Sequence, residues 1–363
     1  MSRSSVPDPG GTPARRIVPL LLGLASVVVI VVGLRAIADL LGPVLLSLFI
    51  VLASRPLSRW LRDRGVPHWI AFALVLTGVI AVGLALLLFL GVSLSQFARA
   101  LPAYRELLDE RLAGLFEWLS GLGLRGEHLR ELEWFQPTQL VETLLSLISA
   151  SLNTLSWAGF TLLVFVYMLA SATGFSERLR AGLRNDPPLL GRIRSFSDRM
   201  GDYLAIKSGI GAATALVQTA LMMVMGIDFA LLWGLFSFLF NFVPNIGFFI
   251  ALIPPTLMAL LTLGMPEAIV FAAGYALVNN FFDMVVAPRY LGRGLDLSVV
   301  VTFLAVVFWA WVLGPIGAFL ALPLTVGVKT VLLESYPETR LLAELMGSRR
   351  PDAPSEVPGG SLG

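Results

Sequence analysis

The sequence predicts an all-α, polytopic integral membrane protein of about eight spanning helices, with two broken hairpin segments forming an internal repeat. Three observations carry that prediction. Charged residues make up 14% of the 363-residue chain and hydrophobic residues 56%; ordinary soluble proteins hold roughly 25% charge. Mean hydropathy is +0.82. Apolar runs near 20 residues, the length that crosses a bilayer, recur between short polar stretches. The same composition excludes other classes. A net charge of +2 gives no global field for nucleic acid. The absence of cysteine removes disulfides, thiolate metal sites and cysteine nucleophiles together. His68 and His128 have no paired ligand at helical spacing, so no metal site and no cofactor are expected.

The elements follow in chain order. Residues 1–16, rich in Pro, Gly and Ser, read as a disordered tail, and 348–363 read the same way. Run 17–34 is a first span. Ala36-Ile37-Ala38 looks like a leader cleavage site, but 18 apolar residues followed by many more spans read as a retained helix. Run 37–53 is expected to break at Gly42-Pro43, and 69–92 is the cleanest span. These runs make an N-terminal transmembrane block over 17–92. In 93–150, Leu101, Tyr104, Leu108, Leu112, Leu115 and Leu119 recur at spacings of three and four, with Asp109, Glu110, Arg111 and Glu117 between them. That pattern is an amphipathic helix. It either docks on the membrane or a sister subunit, or packs on its own spans. Run 152–170 opens a second transmembrane block, 151–347, interrupted by a polar segment at 174–206.

Arginine fixes the expected orientation, because positive charge stays on the cytoplasmic side. Arg55, Arg59, Arg62 and Arg64 place 54–68 inside, and Arg178, Arg180, Arg184, Arg192, Arg194, Arg199 and Lys207 do the same for 174–207. Segment 93–150 holds five Arg against eight acids and is expected outside. Two crossings separate the basic segments, so the parity agrees. Both termini are expected in the cytoplasm.

The second block contains an internal echo. Residues 246–252, IGFFIAL, match 316–322, IGAFLAL, at five of seven positions and an offset of 70. Each copy follows a proline, Pro244 or Pro315, and runs into another, Pro254 or Pro323. Each has an uncharged apolar arm upstream, 229–243 or 299–313. The arms are short for a full crossing, so each copy reads as a helical hairpin with a Pro-Gly turn. One helix, 267–286, lies between them, which would orient the copies oppositely. Paired interrupted segments of this kind point to a transporter's binding site. Gly247, Gly314 and Gly317, with Pro315, are the expected hinge and close-approach positions.

Polar residues inside apolar runs are costly, which makes them informative. Asn241 and Asn245 flank Pro244. Asn279, Asn280 and Asp283 cluster at the end of the intervening helix, with Asn279 and Asp283 four apart on one face. A carboxylate at a helix centre costs about 2.5–3.5 kcal/mol on insertion scales, so Asp283 is expected to be paired, hydrated or protonated. It either couples Na⁺ or H⁺, or pairs with Arg289. Gln218 lies in the run 206–225, where Ser208, Ala212, Ala215 and Thr219 allow close helix contact.

The stretch from Asn279-Asn280 and Asp283 through Ala287-Pro288-Arg289-Tyr290-Leu291-Gly292-Arg293-Gly294, then Trp311-Val312-Leu313-Gly314-Pro315-Ile316-Gly317 and Ala321-Leu322-Pro323, resembles the autoinducer-2 exporter family of bacterial inner-membrane transporters. Phe242-Val243-Pro244-Asn245-Ile246-Gly247 with Ile253-Pro254 is similar to that family's other marked segment. The resemblance runs over about 17–346. It implies a multi-span helical transporter of the cell inner membrane, export of autoinducer-2 in some members and Na⁺/H⁺ exchange in others, and a pentameric homo-oligomer with a moving transport unit. Gly292 joins the hinge candidates on this basis.

The functional expectation is a secondary transporter that exports a small polar solute by alternating access. Asn241, Pro244, Asn245, Asn279 and Asn280 would line its site. The alternatives are a cation/proton antiporter using Asp283 and a membrane scaffold acting through 93–150. No His-Glu-x-x-His, Gly-x-Ser-x-Gly or phosphate-loop motif occurs, so neither an enzyme nor a primary pump is expected. The expected partners are a small-molecule substrate, the lipid bilayer, Na⁺ or H⁺, and further copies of the chain, with no nucleic acid.

Overall fold

A computed structural model describes residues 13–121, 159–171, 174, 178–179, 181–184, 187–291, 297–335 and 339–347. Most of both tails, the second half of segment 93–150, and Gly292 lie outside the described residues. The described elements are helical throughout, with no strand among them. In order they are α1 (Pro13–Ala36), α2 (Ala38–Asp63), α3 (His68–Gly121), α4 (Gly159–Ser171), α5 (Pro187–Met225), α6 (Ala230–Phe240), α7 (Ile246–Thr262) and α8 (Met265–Phe281). A π-helical turn at Phe282–Val286 leads into α9 (Ala287–Leu291), followed by α10 (Val299–Phe319) and α11 (Ala321–Gly327). A second π turn at Val328–Leu332 precedes α12 (Arg340–Met346). Five helices are long and apolar enough to cross a membrane: Ala38–Asp63, His68–Ala100, Pro187–Met225, Met265–Tyr290 and Val299–Phe319. Large apolar side chains stand exposed along them, among them Leu88, Leu216, Val224, Leu277 and Val299, as lipid-facing positions require.

Three boundaries differ from the sequence expectation. Gly42-Pro43 does not break its run; α2 passes through both Pro43 and Pro56. Gly42 is buried against Ile316 of α10, so packing supports the helix where Pro43 removes a backbone bond. Next, α3 runs 54 residues without interruption, about 80 Å at helical rise. The span and the first part of the amphipathic segment are one rod. In the same way, α5 joins the basic segment to its membrane run.

Polar ties mark the two ends of α5. At its arginine-rich end Arg55 pairs with Asp198 at 3.6 Å and Arg59 with Asp202, and Gly201 lies against the Leu52 carbonyl so closely that a Cβ would come within 2.6 Å. This joins the two segments that arginine content assigns to one side. At the other end Tyr104 of α3 donates to Asp228, in the turn after α5, at 2.6 Å. Burial first, then the Asp228 hydrogen bond and charge, raise the Tyr104 phenol well above its ordinary value. A group whose folded pKa is raised contributes its full stability below the unfolded value, near 10, and loses it as pH climbs further. Tyr104→Phe is therefore expected to lower stability by about 0.5–1 kcal/mol at neutral pH. In thermal melts this deficit should shrink in strong alkali.

The core gathers behind this tie. Leu94 and Phe97 of α3, Met222 of α5, Trp233 of α6, Met258 of α7 and Phe271 with Tyr275 of α8 form one buried cluster. Phe97 meets Phe229 and Trp233 edge-on at 5.2 and 5.1 Å between centroids.

Candidate functional site

The two interrupted segments fold as the hairpin pattern suggests, through different turns. In the first, α6 spans 11 residues and α7 17, about 17 and 26 Å, both short of a 30 Å hydrocarbon core. Between them Asn245 adopts φ 60°, ψ −55°, and Ile246 N donates to Pro244 O at 2.6 Å. This is a γ-turn with positive φ, a strained form. In the second, α10 breaks at Gly314, φ 67° and ψ −151°, a conformation open almost solely to glycine. Trp309 Nε1 then donates across to Thr325 Oγ1 at 3.0 Å, holding the arms together. The tip of the first hairpin packs on the arms of the second: Phe242 meets Phe319 at 4.5 Å, and Val243 packs with Val306 and Ala321.

The repeat glycines occupy equivalent crowded positions. A Cβ on Gly247 would fall 2.0 Å from the Phe240 carbonyl oxygen, and one on Gly317 would fall 1.9 Å from that of Trp309. Each arm can return past its partner's backbone only because these residues lack a side chain.

Beside the first hairpin lies a cavity of about 530 Å³, within the range of small-ligand sites. Asn241, Pro244, Asn245 and Gly247 line it from the hairpin, and Asn279, Asn280 and Asp283 from α8 and its π turn. The structure thus brings together the sequence-predicted amides, Pro244 and Asp283. It does not bring in Gly314, Pro315 or Gly317; the second hairpin contributes Leu322 alone to the lining. Exposed Asn280 and Asp283 stand at the mouth, on the side of Lys207, while buried Ser237 and Tyr275 form the inner wall. Beyond Tyr275 the apolar core closes the path.

Asp283 sits inside the π turn. Such one-residue expansions of a helix are frequent at functional sites. Its carboxylate accepts from Asn279 Nδ2 at 2.9 Å and faces Lys207 Nζ at 3.9 Å. Of the two alternatives for Asp283, the pair with Arg289 gives way to one with Lys207, a residue whose sequence position groups it with the cytoplasmic basic charges. The two are unequally sheltered, with side-chain exposures of 15% for Lys207 and 45% for Asp283. The opposed charges leave the cavity with no net charge from this pair. Asn241 reaches toward α5, where Gly211 makes room; a Cβ there would lie 3.3 Å from Asn241 Oδ1. The Asn241 oxygen has no hydrogen-bond partner among the described residues. Sequence reasoning also missed Ser237 and Tyr275. The signal was present: Tyr275, Asn279 and Asp283 recur every four residues, a polar stripe on one helix face.

Asn245 serves both backbone and cavity, and a pair of variants separates the roles. Asn245→Gly is expected to keep the turn and to relieve its strain while removing the amide. Asn245→Val, a β-branched residue at positive φ, should cost about 1–3 kcal/mol. Melting temperatures of the two purified variants check this.

A multi-pass helical fold with paired broken hairpins beside a polar cavity defines a membrane transporter. The AI-2E family transporter profile matches residues 24–337, and the chain belongs to that family. It is 32% identical over 313 residues to the AI-2 transport protein TqsA of Escherichia coli, covering 86% of this chain and 91% of the relative. It is 31% identical over 340 residues to YhhT of the same organism, covering 94% and 97%. A Haemophilus influenzae relative is 32% identical over 333 residues, covering 90% and 95%.

Proposed function

We propose that the protein is a secondary transporter that exports a small, neutral, polar solute of the autoinducer-2 type by alternating access. One observation carries the reading: the cavity gathers four asparagines, Asn241, Asn245, Asn279 and Asn280, around an internally compensated Lys207–Asp283 pair. Amides both donate and accept hydrogen bonds without demanding charge. A lysine and a carboxylate already facing each other favour hydroxyl groups over a net ion, because an ion of either sign would displace one partner. The name of TqsA supports autoinducer-2 as the first solute to test.

In this reading the orientation of the cavity follows from charge. With the arginine-rich end in the cytoplasm, the cavity mouth beside Lys207 and Asp283 opens inward, where an exported solute loads. One crossing, α8, separates the hairpins, so the second enters from the opposite side and the first packs against its arms. Rocking of this unit, with Gly247 and Gly317 at the close contacts and Gly314 at the bend, would expose the site outward. In this reading the protein lies in a bacterial inner membrane with both termini in the cytoplasm and works as a homo-oligomer.

The test is efflux from proteoliposomes loaded with autoinducer-2. Efflux above protein-free liposomes is expected, with a fall of about tenfold or more on changing Asn279 and Asn280 to Ala. No efflux from the wild type would end the proposal. The second reading, cation/proton exchange at Asp283, draws support from the same carboxylate facing Lys207 across the mouth. It predicts gradient-driven Na⁺/H⁺ exchange in the same vesicles, lost in Asp283→Asn.

A further inference from the structure

Behind the asparagines the cavity ends on a second set of polar groups. Ser237 and Tyr275, 5% and 1% exposed, line its inner wall. Gln218, completely buried in α5, stands behind Ser237. The Ser237 hydroxyl donates to Gln218 Oε1. Tyr275 shares this wall with Ser237, and its hydroxyl has no hydrogen-bond partner among the described residues. Buried polar groups are almost always satisfied. A tyrosine buried to this depth with its hydroxyl free, on a wall shared with a binding-sized cavity, points to a ligand atom as the missing partner.

The hydrogen-bond inventory says which atom. With the Gln218 amide oxygen turned toward Ser237 and its Nε2 unpartnered among the described residues, Gln218 takes the one Ser237 proton, so Ser237 Oγ offers the cavity only lone pairs. Tyr275 offers a proton. A group that accepts from Tyr275 while donating to Ser237 satisfies both. An alcohol does this, whereas an ether or ketone supplies no proton, and a bare cation cannot use the phenol's proton. We infer that Tyr275 and Ser237 form an inner subsite that recognises one hydroxyl group of the transported solute, and that Gln218 is a positioning residue that fixes the direction of the Ser237 proton. This rests on the cavity being the solute site, and it adds a selectivity rule: the solute carries an alcohol at its leading end, and its deoxy analogue is rejected. Sites built to bond a hydroxyl discriminate strongly against its loss, because the protein groups are then left unpaired.

The test measures binding to purified full-length protein by calorimetry. The probes are autoinducer-2, glycerol, erythritol and xylitol, each polyol set against its mono-deoxy counterpart. For the wild type, at least one polyol is expected to bind about tenfold or more tightly than that counterpart. Tyr275→Phe and Ser237→Ala should bring the ratio close to 1, and Gln218→Leu should reduce it partway. Asn279→Ala should weaken both members alike and leave the ratio intact, which a general loss of packing would not do. Melting temperatures of the unliganded variants identify any that fail to fold, and two independent wall variants keep the result decisive. A ratio unchanged in both Tyr275→Phe and Ser237→Ala, or no binding of any probe by the wild type, overturns the subsite. A ratio that collapses in these variants while vesicles show no autoinducer-2 efflux upholds the subsite and removes the exporter reading. Autoinducer-2 efflux with discrimination untouched by the wall variants does the reverse.

Discussion

Replacing Gly247 or Gly317 with Ala is expected to collapse the transport unit. The added Cβ would lie 2.0 or 1.9 Å from a main-chain carbonyl oxygen, that of Phe240 or Trp309. A crowded side chain can rotate away; a carbonyl inside a helix cannot move without taking its turn with it. Overpacking typically costs 1–3 kcal/mol, and contacts this close to backbone place both substitutions at about 3 kcal/mol or more. Yield of monodisperse protein in detergent and its melting temperature are the measurements. Gly314→Ala is the informative comparison. Among the described residues nothing lies within 4 Å of a Cβ there, so its cost is conformational, about 1–3 kcal/mol for a residue held at φ 67°. If Gly317→Ala proves milder than Gly314→Ala, the close arm-to-arm approach is not what the repeat preserves.

Those glycines show what was legible in the sequence. Identity at an offset of 70 pairs Gly247 with Gly317 from letters alone, and the fold gives both the same task. Helix class, the broken segments and the asparagine cluster were legible for one reason: a polar or Pro-Gly interruption of an apolar run is expensive in lipid and needs a cause. The turn geometries were not legible. One hairpin places a positive φ at Asn245 and the other at Gly314, one position apart in the repeat register, because the choice depends on how each hairpin packs against the other. The π turn at Asp283 was hidden for a similar reason, since it shifts hydrogen-bond register without changing the residues. The cavity position of Lys207 was not legible, because an isolated lysine at the end of an arginine-rich stretch looks like interfacial charge. Only the path of α5 past α8 makes it a cavity residue. The continuity of α3 across position 93 was masked by a change in composition, which alters the solvent around a helix without stopping it.

Removing either member of the Lys207–Asp283 pair is expected to reduce flux by about tenfold or more, and the two removals should differ in stability. At 3.9 Å opposite charges attract by about 4 kcal/mol at an effective dielectric of 20, before further screening by water. The penalty for breaking the pair depends on which charge remains. Asp283→Asn leaves an ammonium only 15% exposed, with no other ion pair among the described residues. Lys207→Met leaves a carboxylate that is 45% exposed and still bonded to Asn279. The buried survivor is the costlier one, so Asp283→Asn should lose about 2 kcal/mol and Lys207→Met nearer 1. The double variant should lose less than the sum, as coupled neighbours do. Equal losses would show that the difference in burial does not set the penalty, and strict additivity would show that the pair does not interact in the folded protein. Flux then separates the functional readings. Should Asp283→Asn still release autoinducer-2 while losing its response to an imposed Na⁺ or pH gradient, Asp283 carries the coupling ion and the asparagines carry the solute. Loss of both together places the solute on the pair itself. Retention of both removes Asp283 from the mechanism.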